Sequence, residues 1–184
     1  MSPEPLTYPD PPLTDGRIGL RRWAEADVEC IRLAGEDPEI PEETSVPAEF
    51  TPAEGLAFIR RQWGRVENRE GVSQAIVDAN TDRAIGLMWV ALRPQPRVGG
   101  LGYWLVPSER GQGIATAAVR LVVPWALDAL DLQRLEAWVR PQNLPSQRVL
   151  RRAGFLKEGR LRNFLTTGDG VSDALVFSII PTPV

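Results

Sequence analysis

Gly102-Tyr103-Trp104-Leu105-Val106-Pro107-Ser108-Glu109-Arg110-Gly111-Gln112-Gly113-Ile114-Ala115-Thr116 is the stretch on which the reading of the fold turns. The aromatic-rich run up to Val106 reads as a strand, Pro107 and Ser108 end it, and a glycine-punctuated turn leads into an apolar-periodic helix. Within the turn, Arg110-Gly111-Gln112-Gly113-Ile114-Ala115 sets two residues without a Cβ, then a small one, where successive amide N–H groups can converge on an anion. The positive end of the following helix lies behind them. The expected ligand is a phosphate or pyrophosphate; a glycine-rich turn with no ligand would also account for the glycines alone.

Outward from this unit, 184 residues with 43% hydrophobic content suit one domain, residues 16–184, behind a proline-rich tail of residues 1–15. A formal net charge of -3 gives no global attraction to nucleic acid or to an anionic membrane, and neither is expected as a partner. The first residues lack a basic and apolar leader, and no apolar run is long enough to span a bilayer, so the expected location is cytoplasmic. Cys30 is the one cysteine and reads as a small core residue. The chain has no histidine, which removes Ser-His-Asp and Cys-His catalysis and histidine-ligated zinc, and no metal is expected.

In chain order, a first strand over residues 16–23 leads to a helix over 24–34, then to a proline-broken loop over 35–52 that carries Glu36, Asp37, Glu39, Glu42 and Glu43. Thr51, Pro52 and Glu54 form an N-cap, first-turn proline and capping-box signature for a second helix, with Leu56, Ile59 and Trp63 as its apolar spacing. An antiparallel pair follows over residues 72–78 and 84–92. The helix after Ile114 runs to about residue 130 with Pro124 inside it, and residues 134–139 form the next strand, Leu135, Ala137 and Val139 on one face and Glu136 and Trp138 on the other. Ser146 is expected to cap a short helix that Gly154 closes. Strand material over residues 155–159, 161–165 and 175–180, with Thr167-Gly168-Asp169-Gly170 as a hairpin turn, completes the chain.

Two blocks carry a resemblance. Arg110-Gly111-Gln112-Gly113-Ile114-Ala115 matches the [Arg/Gln]-x-x-Gly-x-[Gly/Ala] signature of the GNAT superfamily of N-acetyltransferases. Asn143-x-x-Ser146, Gly154-Phe155 and Glu158-Gly159-x-x-Arg162 resemble the segment typical of its RimJ/RimL ribosomal-protein N-terminal acetyltransferase branch. The resemblance implies an α/β (α+β) fold: a mixed, mostly antiparallel sheet of about seven strands flanked by about four helices, with an acyl-CoA cleft between two splayed parallel central strands. It implies acetyl-CoA as cosubstrate, its pantetheine arm on the backbone of Trp104, Leu105 and Val106 and its pyrophosphate held by Arg110, Gly111, Gln112, Gly113, Ile114, Ala115 and Thr116. Asn143 would hold the pantetheine arm and Ser146 would lie near the thiolate leaving group, where a hydroxyl can donate to the developing anion.

Acyl transfer needs a neutral amine, and Glu136 is the carboxylate expected as general base, with Glu109, Asp173 or a water route as alternatives. Tyr103 neighbours the motif strand and reads equally as packing or chemistry. Trp23, the 35–50 loop, the helix near Phe58 and Trp63, Trp89 and Phe164 are candidates for the acceptor wall, and the acidic loop favours a cationic acceptor. The C-terminal Asp173-Ala174-Leu175-Val176-Phe177-Ser178 departs from the Asp-His-x-x-Tyr-Ser common in this branch, so the acceptor is not carried over. The expected function is acetyl transfer from acetyl-CoA to a primary amine, a small molecule or a peptide N-terminus, by direct attack. A catalytically inactive CoA-binding module is the alternative, an arginine-faced nucleic-acid binder is weaker, and a homodimer is compatible with the sequence.

Overall fold

Thr51 accepts the Glu54 amide at 3.1 Å and Pro52 follows it, so the cap read from sequence does start a helix there. The computed structural model describes residues 5–168 and 170–181. Their elements in order are β1 (Leu13–Thr14), β2 (Ile18–Arg21), a 3₁₀ turn (Glu25–Asp27), α1 (Val28–Gly35), α2 (Glu39–Glu43), α3 (Pro52–Glu67), β3 (Gly71–Asp78), β4 (Ala84–Leu92), β5 (Val98–Leu105), a 3₁₀ turn (Pro107–Glu109), α4 (Ile114–Ala129), β6 (Arg134–Val139), α5 (Leu144–Arg152), β7 (Leu156–Thr167) and β8 (Gly170–Ile179). The strands form one sheet in the order β1-β2-β3-β4-β5-β6-β8-β7. Of the expected closing turn, Asp169 lies outside the described residues, as do residues 1–4 of the tail.

Every neighbouring pair is antiparallel except β5 and β6, which run parallel through the crossover helix α4. Their register covers only Val98 with Arg134, Gly99 with Leu135 and Gly100 with Glu136. Beyond that point β5 stays paired to β4 as far as Leu105, while its other edge has left β6. The mixed sheet with two splayed central strands is thus observed. The described residues hold eight strands and five α-helices; β1 with two residues and α2 with five are the additions to the expected count.

α2 lies in the segment expected to be all loop. Ile40 is buried within it, and Pro41 sits in its first turn, where a missing N–H removes no intrahelical bond. On α3 the buried stripe is Gly55, Phe58, Ile59 and Gln62 rather than Leu56, Ile59 and Trp63. Trp63 instead lies part-buried, its indole N–H donating to the Trp23 carbonyl at 2.8 Å. Trp23, Phe58 and Trp104 pack ring to ring with centroids 5.9 to 6.5 Å apart, which fixes α3 against β5.

The edge strand β7 is mostly exposed and is held by more than its ladder to β8. Glu158 on β7 accepts from Ser178 Oγ of β8 at 2.5 Å and pairs with Arg134 of β6 at 2.5 Å, linking three strands. The Arg134 guanidinium first, then the Ser178 hydroxyl, hold the Glu158 carboxyl down at about 2. Because the folded value lies below the ordinary carboxylate value, the stabilisation is present above about pH 4.5 and is lost as pH falls through about 2. The pair is partly solvated, so Glu158→Gln is expected to cost under about 1 kcal/mol at neutral pH, with the difference from the parent closing as the solution is acidified. Denaturant unfolding at a series of pH values measures it.

Candidate active site

Where β5 and β6 part, the backbone of β5 faces an open cleft. Val106 N–H donates to the Ile85 carbonyl of the neighbouring chain segment at 3.0 Å, so by strand alternation Trp104 also turns its backbone groups toward β4. The groups of Tyr103 and Leu105 then face the cleft, and the Leu105 carbonyl is taken there by Arg110 Nε at 3.1 Å. Val106 is therefore committed to the sheet and lines neither cavity, contrary to the expected role of its backbone in holding the pantetheine arm.

Two cavities open from this cleft. The first, about 340 Å³, is lined by Trp104, Leu105, Arg110, Gly111, Gly113, Ile114, Ala115, Thr116, Asn143 and Ser146 together with Arg148 and Arg152. The second, about 520 Å³, is lined on the other side of the same strands by Phe58, Gln62, Arg65, Trp89, Trp138, Arg140 and Thr166 among others. Tyr103, Trp104, Asn143, Ser146, Glu43 and Thr44 belong to both, so the cavities meet there.

The donor-side cavity has the features of an anion cradle. Gly111 and Gly113 have φ of +77° and +78°, which a side chain resists, and nothing lies within 4 Å of where their Cβ atoms would be. The first α4 bond near this end runs from Ala117 N–H to the Gly113 carbonyl, leaving the Ile114, Ala115 and Thr116 amides ahead of it without a carbonyl in the helix. Arg148 and Arg152 on α5 bring positive charge to the opposite wall. The turn is braced from outside: Arg17 donates to the Gln112 carbonyl at 3.2 Å, Arg83 pairs with Glu109 at 2.6 Å, and Arg110 pairs with Asp37 at 2.6 Å. Gln112, expected at the phosphate, lies outside the cavity wall and donates to the Ser108 carbonyl. An extended phosphate-bearing ligand such as CoA fits these residues.

At the junction, Asn143 caps α5 by accepting the Ser146 amide at 3.0 Å, so Ser146 is the third residue of the helix and not its cap. Its hydroxyl is released for another partner, the Tyr103 phenol, at 2.9 Å. Burial pushes the Tyr103 hydroxyl up to about 12, opposed by its bond to Ser146. Tyr103 thus lines both cavities and meets Ser146 where they join.

Glu136 is not brought to either cavity. It sits at the paired end of β5 and β6, held by Arg134 at 3.1 Å with Arg93 at 4.0 Å. Glu109 and Asp173 likewise line neither cavity and pair with Arg83 and Arg160. The carboxylate at the junction is Glu43, paired with Arg140. Of the expected acceptor wall, Phe58, Trp89 and the 43–45 segment line the second cavity. Trp23 lies buried behind Phe58, and Phe164 stands edge-on to Trp138, which does line it. Gln62 and Arg65 went unread, although they continue the four-and-three spacing from Phe58 as polar residues on a buried stripe.

Among the described residues no helix is long and apolar enough to cross a membrane. The acetyltransferase (GNAT) domain model matches residues 17–156. A Bacillus subtilis protein named probable N-acetyltransferase YjcK is 40% identical over 118 residues, covering 63% of this chain and 65% of that one, so the chain spans just under two thirds of that relative's length. Uncharacterized N-acetyltransferase YoaA of the same organism is 27% identical over 92% of this chain and 97% of its own. Among solved structures, Mycobacterium smegmatis RimJ in complex with CoA-disulfide superposes with a TM-score of 0.79 at 26% identity, covering 92% of this chain and 85% of that one. With the domain model lying across both the splayed strands and the glycine turn, the chain belongs to the acetyltransferase (GNAT) domain family.

Proposed function

We propose that the protein transfers the acetyl group of acetyl-CoA directly to a primary amine, as a RimJ/RimL-like member of its family. The observation that carries this reading is the Tyr103–Ser146 hydroxyl pair at the meeting point of a phosphate-suited cavity and an aromatic-walled one. The Asn143-x-x-Ser146 and Glu158-Gly159 block and the likeness to a CoA-bound RimJ support the branch.

When bound, acetyl-CoA supplies an activated acyl carbon on a thiol leaving group. The α4 amides and Arg148 and Arg152 would hold its phosphates, and the cleft-facing backbone groups of Tyr103 and Leu105 would align its arm. The amine nitrogen attacks the thioester carbonyl carbon, the new C–N bond forms and the C–S bond breaks. Ser146 Oγ–H would give its proton to the departing sulfur and be refilled from the Tyr103 hydroxyl, which would in turn recover a proton from solvent. Glu43 takes the proton lost by the amine through water. No enzyme nucleophile is needed: the Cys30 thiol is buried among apolar groups, which pushes its ionisation far up, and it lines neither cavity.

Thiol release from acetyl-CoA across a panel of amines, together with CoA binding, tests this reading. Ser146→Ala is expected to lower kcat by about 10- to 100-fold and Tyr103→Phe by about 10-fold, with CoA affinity unchanged by calorimetry. Binding of CoA by the parent protein with no amine-dependent thiol release would favour the inactive module. Gly113→Val is expected to abolish CoA binding while the thermal midpoint moves by only a few degrees, because the added side chain strains the positive φ and fills the cradle; unchanged affinity would exclude this phosphate site. Glu43→Gln is expected to cut kcat/KM about 10-fold or more while Glu136→Gln leaves it near the parent value. Because the Tyr103 hydroxyl stays protonated to about pH 12, kcat/KM should climb as the acceptor amine loses its proton and show no fall up to about pH 10.

A further inference from the structure

The charges of the described residues around the acceptor-side cavity do not balance. Among the described residues, Glu43, Arg65 and Arg140 are the ionised side chains lining it, and Glu43 is paired with Arg140. Arg65 is left as the excess charge. It lies on the cavity-facing stripe of α3, four and three residues on from Phe58 and Gln62, and stacks on the Trp89 ring with its guanidinium carbon 4.3 Å from the centroid. Among the described residues it makes no salt bridge; half-burial lowers its ionisation below the ordinary guanidinium range, with Glu70 opposing that shift and Arg61 adding to it. Stacking on an indole fixes the plane of a guanidinium and leaves its N–H edge available. Gln62 beside it is satisfied, accepting from Ser73 Oγ at 3.0 Å and donating to the Phe58 carbonyl at 3.2 Å.

Of the five acids that favoured a cationic acceptor, only Glu43 lines this cavity, and it is paired with Arg140. Glu36 pairs with Arg32 and Asp37 with Arg110, while Glu39 and Glu42 lie outside the cavity wall. The field inside the cavity is therefore set by Arg65 and not by the acidic loop.

We propose that the acetyl acceptor is an amine that also carries a carboxylate, received edge-on by Arg65 while the amine reaches Ser146 and Tyr103 at the other end of the cavity. The amine end of this assignment rests on the acetyl-transfer reading; the carboxylate end rests on Arg65 alone. A planar guanidinium fork matches a carboxylate with two N–H donors. One excess positive charge balances a single negative one, whereas a phosphate monoester carries about 1.5 to 2 negative charges at neutral pH and would leave an uncompensated remainder.

The test is calorimetric titration of the CoA-saturated full chain with ω-amino carboxylates of graded length, the matching primary amides, ω-aminoalkyl phosphates and diamines. The expected result is binding of the best carboxylate about 10-fold or more tightly than its amide, with diamines no better than the amide. Arg65→Gln should erase that difference while leaving CoA and amide affinity unchanged, and Arg65→Lys should restore part of it. Equal binding of carboxylate and amide by the parent protein, a preference that survives Arg65→Gln, or tighter binding of the phosphate would each overturn the proposal. Thiol release from acetyl-CoA with the neutral amides is scored separately: release without a carboxylate preference sinks the anion site alone, and a carboxylate preference without release sinks acetyl transfer alone.

Discussion

β5 and β6 share hydrogen bonds for three register pairs and then separate, and the site follows from that separation. A central strand that loses a neighbour exposes backbone donors and acceptors inside a protein, where leaving them unmade is costly. Here one of them, the Leu105 carbonyl, is taken by Arg110. The remaining cleft-facing groups would suit a ligand with its own amides, as the arm of CoA has. The gap is bridged further along by side chains: Tyr103 of β5 reaches Ser146 of α5, the helix that follows β6. Donor and acceptor cavities meet at this bridge, which is why a single pair of hydroxyls belongs to both.

The arginines divide the labour around that cleft. Arg17, Arg83 and Arg110 are spent on bracing the glycine turn, so that positive φ at Gly111 and Gly113 is held by contacts on the outer side while the inner side stays open. Arg148 and Arg152 offer charge to the donor cavity, and Arg65 offers it to the acceptor cavity. The acidic segment around α2 answers several of these cations. Asp37 grips Arg110 and Glu43 grips Arg140, so a segment that looks like an electrostatic lure in the sequence is a clasp joining α2 to the turn after β5 and the loop after β6. Where Arg93 is concerned, its guanidinium stacks on Trp138 at 3.7 Å and lies against Gly100, where a Cβ would meet it at 2.5 Å. That packing sits at the last residue pair before the strands diverge.

Local chemistry was the readable part. Cap, proline and glycine signals act over a few residues, and they placed α3, the turn before α4 and the β3–β4 pair within a residue or two. Reading failed where two residues compete for one job. Asn143 and Ser146 are both good cap formers, and the choice between them depends on which one the rest of the fold needs elsewhere; Tyr103, far off in the chain, takes the Ser146 hydroxyl and Asn143 becomes the cap. Glu136 lines neither cavity for the converse reason. It stands on a strand adjoining the cleft, but at the closed end, where Arg134 is its neighbour two residues along.

The sequence by itself determined the local features of the cleft: an anion-suited turn between strand and helix, a second polar block at a fixed distance, and the absence of any histidine. Those features are backbone conformations and residue types, set by glycine, proline and the local order of the chain. Only the tertiary structure decided which side chains face each other across the cleft. It drew Glu43 rather than Glu136 to the junction, paired Tyr103 with Ser146, and stacked Arg65 on Trp89 with no salt bridge among the described residues. The physical reason is that charge pairing and burial are settled between residues tens of positions apart, by the point at which β5 and β6 part, and no short stretch of chain carries that information.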